Sequence, residues 1–191
     1  KIGNGNEKTE LITKSFVGNK YYLKYNSNGG IGTMNDTECD VGSECLIQKN
    51  SFTKVGYTFS GWSISSTDMT VTYEDEGTIL SDDSSNINLY AVWTKNTYKL
   101  IYDANGGNSE PATQTVLYDS TVIVTDEMPT KYSSGYECIF VNWNTSSDGT
   151  GTDYAGGGSF KMPANNTTLY AKWHCHIWDA RGVQIYEPGW D

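Results

Sequence analysis

The chain contains two copies of one pattern, and this internal repeat limits the fold more than any other feature of the sequence. Tyr21 of the first copy corresponds to Tyr98 of the second, 77 residues later, and Trp93 corresponds to Trp173, 80 residues later. Self-similarity of this kind is typical of tandem structural units, and the drift in spacing indicates loops of unequal length. The predicted organisation is a lead segment (1–20), a first module (21–94), a second module (95–173) and a C-terminal tail (174–191).

Each copy opens with alternating large residues that run into Asn-Gly-Gly. Alternation with a period of two places the large side chains on one face of a β-strand. Asparagine and glycine accept positive φ, so a sharp turn is expected where the strand ends. The residues are Tyr21, Leu23, Tyr25 and Asn28-Gly29-Gly30 in the first copy, and Tyr98, Leu100, Tyr102 and Asn105-Gly106-Gly107 in the second.

Two tryptophan motifs follow in each copy. Phe-x-x-Trp carries Gly61 or Asn142 just before the tryptophan, where we expect a bulge or tight bend. Leu-Tyr-Ala-x-Trp indicates a last strand with leucine, alanine and tryptophan on one face. Because the tryptophans recur at matching places, we predict that they fill the cores rather than bind a ligand. The recurring tryptophans are Trp62, Trp93, Trp143 and Trp173.

Helical periodicity is absent from every segment of ten or more residues. Residues 49–54 could form one helical turn in the first copy. The predicted fold is therefore mostly β, with a small α+β arrangement as the alternative. In the tail, alternation around Ile177 and Ile185 on either side of Arg181-Gly182 predicts a β-hairpin.

The order of these motifs resembles the Listeria–Bacteroides repeat, also called the internalin B-repeat, over residues 21–173. The run 162–168 resembles the approach to that family's last strand, whereas Phe52 stands near the place of the family's usual proline, which is Pro129 in the second copy. The resemblance implies two tandem β-grasp-like modules of an extracellular bacterial protein, acting as a spacer or adhesive stalk. No catalytic residues come with the family.

Charge narrows the range of partners. The formal net charge is −10, which disfavours binding to nucleic acid and anionic lipid, and no Lys/Arg cluster offsets it.

No apolar run approaches the roughly 20 residues of a membrane span, so direct membrane insertion is not expected. The first twenty residues lack the pattern of a signal peptide. The expected location, the bacterial cell surface or the secreted fraction, therefore depends on the resemblance and on the cysteines.

Four cysteines allow three full pairings. An even number in a β protein rich in glycine and threonine is typical of an oxidising compartment, although buried free thiols are the alternative. Cys39 and Cys45 would close a loop of their own. Cys138 and Cys175 would join the tail to the second module.

The sequence offers few candidate residues for catalysis or metal binding. His174 and His176 are the only histidines, and with Cys175 they are the most plausible metal ligands, but a four-ligand zinc site lacks its remaining members. Residues 148–153 resemble half a calcium loop without its last carboxylates, so a glycine-rich hairpin loop is favoured. We predict no catalytic residue, no metal and no cofactor, and rank a metalloenzyme last.

Trp178, Tyr186 and Trp190 in the tail have no counterpart in the repeats. They are the candidates for an interaction surface, with a surface protein, a glycan or a second copy of the chain as partner. The alternative is that they pack the tail onto the second module. Two functions thus rank above a metalloenzyme: a structural spacer, and an adhesive or filament-forming module.

Overall fold

A computed structural model describes residues 18–133, 136–178, 181 and 184–185. Two compact units are present: one holds the described residues up to Thr53 together with Phe59–Trp93, and the other holds Lys54–Thr58 together with the described residues from Thr94 onward. The described segments are β-strands and connections without a helix, so none contains a helix long and apolar enough to cross a membrane.

The first module is a mixed sheet beside a two-stranded ribbon. Its sheet has the order β2-β1-β6-β4, and β3 pairs with β5 in the ribbon. The strands are β1 (Lys20–Asn26), β2 (Thr37–Asp40), β3 (Glu44–Leu46), β4 (Tyr57–Ser63), β5 (Thr78–Leu80) and β6 (Ile87–Lys95).

The second module repeats this arrangement with additions at one end. Its main sheet has the order β10-β11-β14-β7-β8, β12 also pairs with β11, β15 also pairs with β14, and β9 pairs with β13 in the ribbon. The strands are β7 (Thr97–Asp103), β8 (Gln114–Leu117), β9 (Thr121–Ile123), β10 (Lys131–Ser133), β11 (Tyr136–Asn144), β12 (Asp153–Tyr154), β13 (Ser159–Lys161), β14 (Thr167–Trp178) and β15 (Gln184–Ile185).

In both modules the first long strand runs parallel to the last one. Leu23 of β1 is in register with Ile87 of β6, and Tyr102 of β7 is in register with Leu169 of β14. Parallel neighbours cannot be joined by a tight hairpin, so the intervening strands form the crossover. A module therefore begins and ends on adjacent strands.

Aromatic residues fill each core, as the repeat predicted. Trp62 and Trp143 have no exposed surface. The ring of Phe59 lies edge-on to Trp62 at 4.9 Å, and that of Phe140 lies edge-on to Trp143 at 5.1 Å, measured between centroids. Such pairs add to the stabilisation that burial of the large rings provides. Trp93 is also buried, whereas Trp173 packs against its core from a partly buried position.

The Asn-Gly-Gly turns have the predicted left-handed backbone. Asn28 has φ +47° and Asn105 has φ +49°, each followed by a glycine with positive φ. Both asparagine side chains also donate a hydrogen bond to the last strand, which the turn itself does not require. The side-chain Nδ2 of Asn28 donates to the carbonyl of Ala91 (3.0 Å), and that of Asn105 donates to the carbonyl of Ala171 (3.1 Å).

A second bond joins the same turn to the last strand. The indole Nε1 of Trp93 donates to the carbonyl of Ser27 (2.8 Å), and that of Trp173 donates to the carbonyl of Ala104 (2.9 Å). We call these two bonds, asparagine to carbonyl and indole to carbonyl, the clasp of each module. The clasp holds the end of the first strand against the last strand.

The helical turn considered for residues 49–54 is not present. The N–H of Asn50 donates to the carboxylate of Asp75 (2.8 Å), and the side chain of Asn50 accepts from the N–H of Phe52 (3.0 Å). The backbone of Thr53 exchanges hydrogen bonds with Ile31. One of these bonds is local and the others join the segment to distant residues, and together they hold it extended.

The bend beside each Phe-x-x-Trp motif takes a different form in the two copies. Gly61 has φ +140°, in the region that favours glycine. In the second copy the register shifts between Phe140 and Asn142, which is a β-bulge, but Asn142 is not among the positive-φ residues. The expected irregularity is thus present in both, and left-handed backbone only in the first.

We predict that Gly30→Ala destabilises the first module by about 1–3 kcal/mol, the usual range for overpacking. A Cβ on Gly30 would lie 2.8 Å from Cζ2 of Trp93 and 2.9 Å from the carbonyl oxygen of Thr53. Part of this cost arises from the ring, so Gly30→Ala should cost less in a Trp93→Leu background. Urea unfolding of the four proteins in the double-mutant cycle measures the coupling. Additive effects would show that the glycine is not required by the tryptophan.

Candidate functional site

The most distinctive part of the molecule is the end of the second module, where β14 continues past the core. Ala171 is fully buried, and the core cluster ends near Trp173. Beyond that point β14 still pairs with β11, from Phe140 opposite Trp173 to Tyr136 opposite Ile177. β10 and β15 flank this segment, and we call the four paired strand ends the extension. The strand thus crosses residue 173, at which the sequence suggested a boundary.

A disulfide joins the two central strands of the extension. Cys138 and Cys175 are directly opposite in the antiparallel ladder, with Cα atoms 4.0 Å apart. Cys175 is exposed and Cys138 is half-buried. The second disulfide joins Cys39 to Cys45, both almost completely buried. This is the pairing that the sequence favoured, and all four cysteines are bonded.

His174 and His176 are neighbours in the extension. Residues two apart in a strand point to the same side, which is opposite to Cys175. Their ring centroids are 4.6 Å apart in an edge-on arrangement. No group of three or more His, Cys, Asp or Glu that could hold a metal ion exists among the described residues. The two imidazoles therefore lack the ligand set of a structural zinc site in this part of the chain.

Apolar side chains near the extension lie in solvent. Tyr132 of β10 is 84% exposed, and Ile139 and Val141 of β11 are about half exposed (51% and 50%). Sequence reasoning did not identify these residues as a surface. The signal was present for Ile139, because it alternates with Cys138 and Phe140 and so faces away from the core.

The structure describes only part of the C-terminal tail that contains the candidate aromatic residues. The predicted hairpin forms to the extent that Ile177 pairs with Ile185 and Trp178 with Gln184. The side chain of Trp178, and Tyr186 and Trp190 as a whole, lie outside the described residues. Their role as an interaction surface stays a prediction.

The loop that resembles half a calcium site is a closed hairpin between β11 and β12. The carboxylate of Asp148 accepts hydrogen bonds from the hydroxyl groups of Ser146 (2.6 Å) and Thr150 (2.7 Å) and from the N–H of Thr150 (3.0 Å). These bonds, that of Ser146 first, lower the pKa of Asp148 to about 2. The carboxylate is thus engaged by its own loop, as the hairpin interpretation expects.

Asn144 organises the same loop from inside and was missed by sequence reasoning. It is fully buried, and its Nδ2 donates to the carbonyls of Gly149 and Gly151 and to the carboxylate of Asp153. The bond from Asn144 is the main reason that the pKa of Asp153 is lowered. Lys172 forms an ion pair with the same carboxylate (3.2 Å) and lowers the pKa further. This polar cluster stabilises the hairpin.

Comparison with known proteins gives a consistent result for both modules. The profile of the Listeria–Bacteroides repeat domain matches residues 21–92 and again residues 98–172. Two proteins of Evansella cellulosilytica, one named as a Gly-rich membrane protein and one as a membrane protein, are 34% and 32% identical over 72% and 81% of this chain. Internalin H of Listeria monocytogenes is 37% identical over 71% of it. The chain spans only 16%, 22% and 23% of these three relatives, respectively.

We predict that thiols reduce the two disulfides of the native protein at different rates. Exchange requires a thiolate to reach a sulfur atom, and only the Cys138–Cys175 bond has an exposed cysteine. With dithiothreitol under native conditions, followed by alkylation and peptide mapping, this bond should open faster by roughly tenfold or more. In urea the difference should disappear. Equal rates in the native protein, or faster opening of Cys39–Cys45, would contradict the assignment of exposure.

Proposed function

Because the chain belongs to the Listeria–Bacteroides repeat family, we propose that it is a non-catalytic part of a bacterial surface protein. Its two modules act as a spacer that holds another part of that protein away from the cell. The long relatives support this proposal, since the matched region is a minor part of each. Recognition or catalysis by the whole protein would then belong to other regions.

One observation carries the proposal: the residues that recur in both copies serve the fold. The recurring asparagine and last tryptophan form the clasp, through Asn28 and Trp93 in the first module. The tryptophan of Phe-x-x-Trp is fully buried in both cores. A repeated ligand site would instead present its recurring side chains to solvent. What the two copies share is therefore a way to build a stable module.

Surface location is consistent with the chemistry of the chain. Disulfides persist in oxidising environments, and each module has one bond within it. A net charge of −10 favours solubility and repels anionic lipid. The strands β6 and β7 are separated only by Asn96, so the connection between the repeats has little length. These properties suit a module exposed outside the cytoplasm.

The extension supports a second candidate function, adhesion or self-association. The extension and the adjoining part of β11 carry exposed apolar side chains, Tyr132, Ile139 and Val141. Trp178, Tyr186 and Trp190 are the further candidates that the sequence offers for such an interaction. A partner strand, a second copy of the chain or a glycan could occupy the exposed surface.

The spacer function is tested by exchanging the chain for something of equal length. In a surface-displayed fusion with an N-terminal epitope, antibody access to the epitope should fall when the chain is deleted. It should recover when an unrelated β-module of similar length is inserted, because a spacer acts through its dimensions. Failure of the unrelated module to restore access would argue against a spacer.

The adhesive function is tested in solution. Sedimentation of the purified chain over a wide concentration range should show association that Trp178→Ala with Trp190→Ala abolishes. Trp93→Phe serves as the control, since it changes a tryptophan of the module itself. A monomer at every concentration, with no retention on immobilised bacterial or host glycans, would remove this candidate.

A further inference from the structure

We propose that each module is a force-bearing unit in which stretching of the chain loads the parallel strand pair in shear. The inference deepens the spacer function, because a spacer at a cell surface is pulled from both ends. It depends on the topology of each module alone. A module could resist force in this way whatever protein it belongs to.

The direction of loading follows from the strand order. The chain enters the first module at Lys20, where β1 begins, and leaves it at Lys95, where β6 ends. β1 and β6 are parallel and paired at four positions, from Leu23 with Ile87 to Asn26 with Tyr90. Tension therefore pulls the two strands along their length in opposite directions. The hydrogen bonds run across that direction, so all of them are loaded together rather than in succession.

The second module has the same geometry. β7 begins at Thr97, and its parallel pairing with β14 runs from Leu100 with Thr167 to Asp103 with Tyr170. The antiparallel hairpin between β14 and β15 is loaded differently, because tension peels its strands apart instead of shearing them. Its antiparallel pairs, Ile177 with Ile185 and Trp178 with Gln184, open one after another when the C-terminal end is pulled.

The clasp increases the resistance of the parallel pair to sliding. In the first module the indole of Trp93 reaches from β6 to the carbonyl of Ser27, and the amide of Asn28 reaches to the carbonyl of Ala91. Both bonds cross between the two strands that must slide. The turn cannot move past β6 until both have broken. Because the clasp is at the far end of β1, it contributes fully in shear but only last when the strands peel from their other end.

The disulfides give each module a measurable signature. The Cys39–Cys45 bond encloses a separation of 6 residues, and the Cys138–Cys175 bond one of 37. At roughly 3.3–3.6 Å per extended residue, reduction should lengthen the unfolded first module by about 20 Å and the second by about 130 Å. Each unfolding event in a stretched chain can thus be assigned to its module.

The test is single-molecule stretching of the whole chain in two geometries. In the first, handles at the two chain ends load β1 against β6 in shear. In the second, one handle is at the N-terminal end and the other is attached at position 84, where a bio-orthogonal side chain replaces Ser84. These handles pull β1 and β6 from the same end. Ser84 is exposed and precedes β6, so the pairs peel from Leu23–Ile87 onward. At equal force the first module should unfold at least tenfold more slowly in shear, since forced unfolding reports the unfolding rate.

Matched variants test the clasp. Trp93→Phe keeps an aromatic side chain but removes the indole N–H together with part of the ring, a loss of volume that the control below shares, and should raise the forced unfolding rate in shear by roughly 2- to 10-fold, the factor for one net hydrogen bond. Its effect on peeling should be smaller. Trp62→Phe is the control, because the Nε1 of Trp62 is buried without a hydrogen-bond partner among the described residues. That variant should leave the ratio between the two geometries unchanged.

Equal unfolding rates in the two geometries would overturn the proposal, as would a Trp62→Phe effect on the ratio as large as that of Trp93→Phe. Neither result would contradict the spacer function, because the length-exchange experiment tests that function separately. Conversely, strong resistance in shear together with failure of the length exchange would show a force-resistant module that serves another role.

Discussion

Each module is organised around the contact between its first and last long strands. Two strands about 65 residues apart in sequence lie parallel in the middle of one sheet, and every other strand pairs or packs around them. Parallel pairing offers no short turn to fix the register. The clasp supplies that register instead, through one indole and one asparagine that bond to particular carbonyls.

The clasp also explains why the sequence signature takes its particular form. Asparagine is needed where a left-handed residue must also donate across the sheet, and the second glycine of Asn-Gly-Gly lies under the tryptophan ring. In the second module a Cβ on Gly107 would come within 2.5 Å of Cζ2 of Trp173. The widely spaced motifs are therefore parts of one contact. A module that satisfies this contact can accept different loops, such as the Cys39–Cys45 loop of the first copy and the Asn144 hairpin of the second.

Sequence reasoning recovered what local patterns determine. Alternation revealed the strands around Leu23 and Leu100, and left-handed turns followed from Asn28 and Asn105. The parallel pairing was not predictable in this way, because it joins segments that no local pattern relates. The absence of a helix near Asn50 depends on a carboxylate 25 residues away. The extension was predictable only in part: alternation indicated a hairpin strand around Ile177, but nothing local shows that this strand is the continuation of β14, because the repeat pattern itself ends at Trp173.

If each module is organised around its parallel strand pair, the amides of that pair should be the last to exchange, and native-state hydrogen exchange measures this. Amides of β1 and β6, and of β7 and β14 up to Tyr170, should exchange only through global unfolding of their module, with the same free energy that urea unfolding gives. Amides of the β3–β5 and β9–β13 ribbons should exchange through smaller openings. Faster exchange in the parallel pairs than in the ribbons would contradict the account.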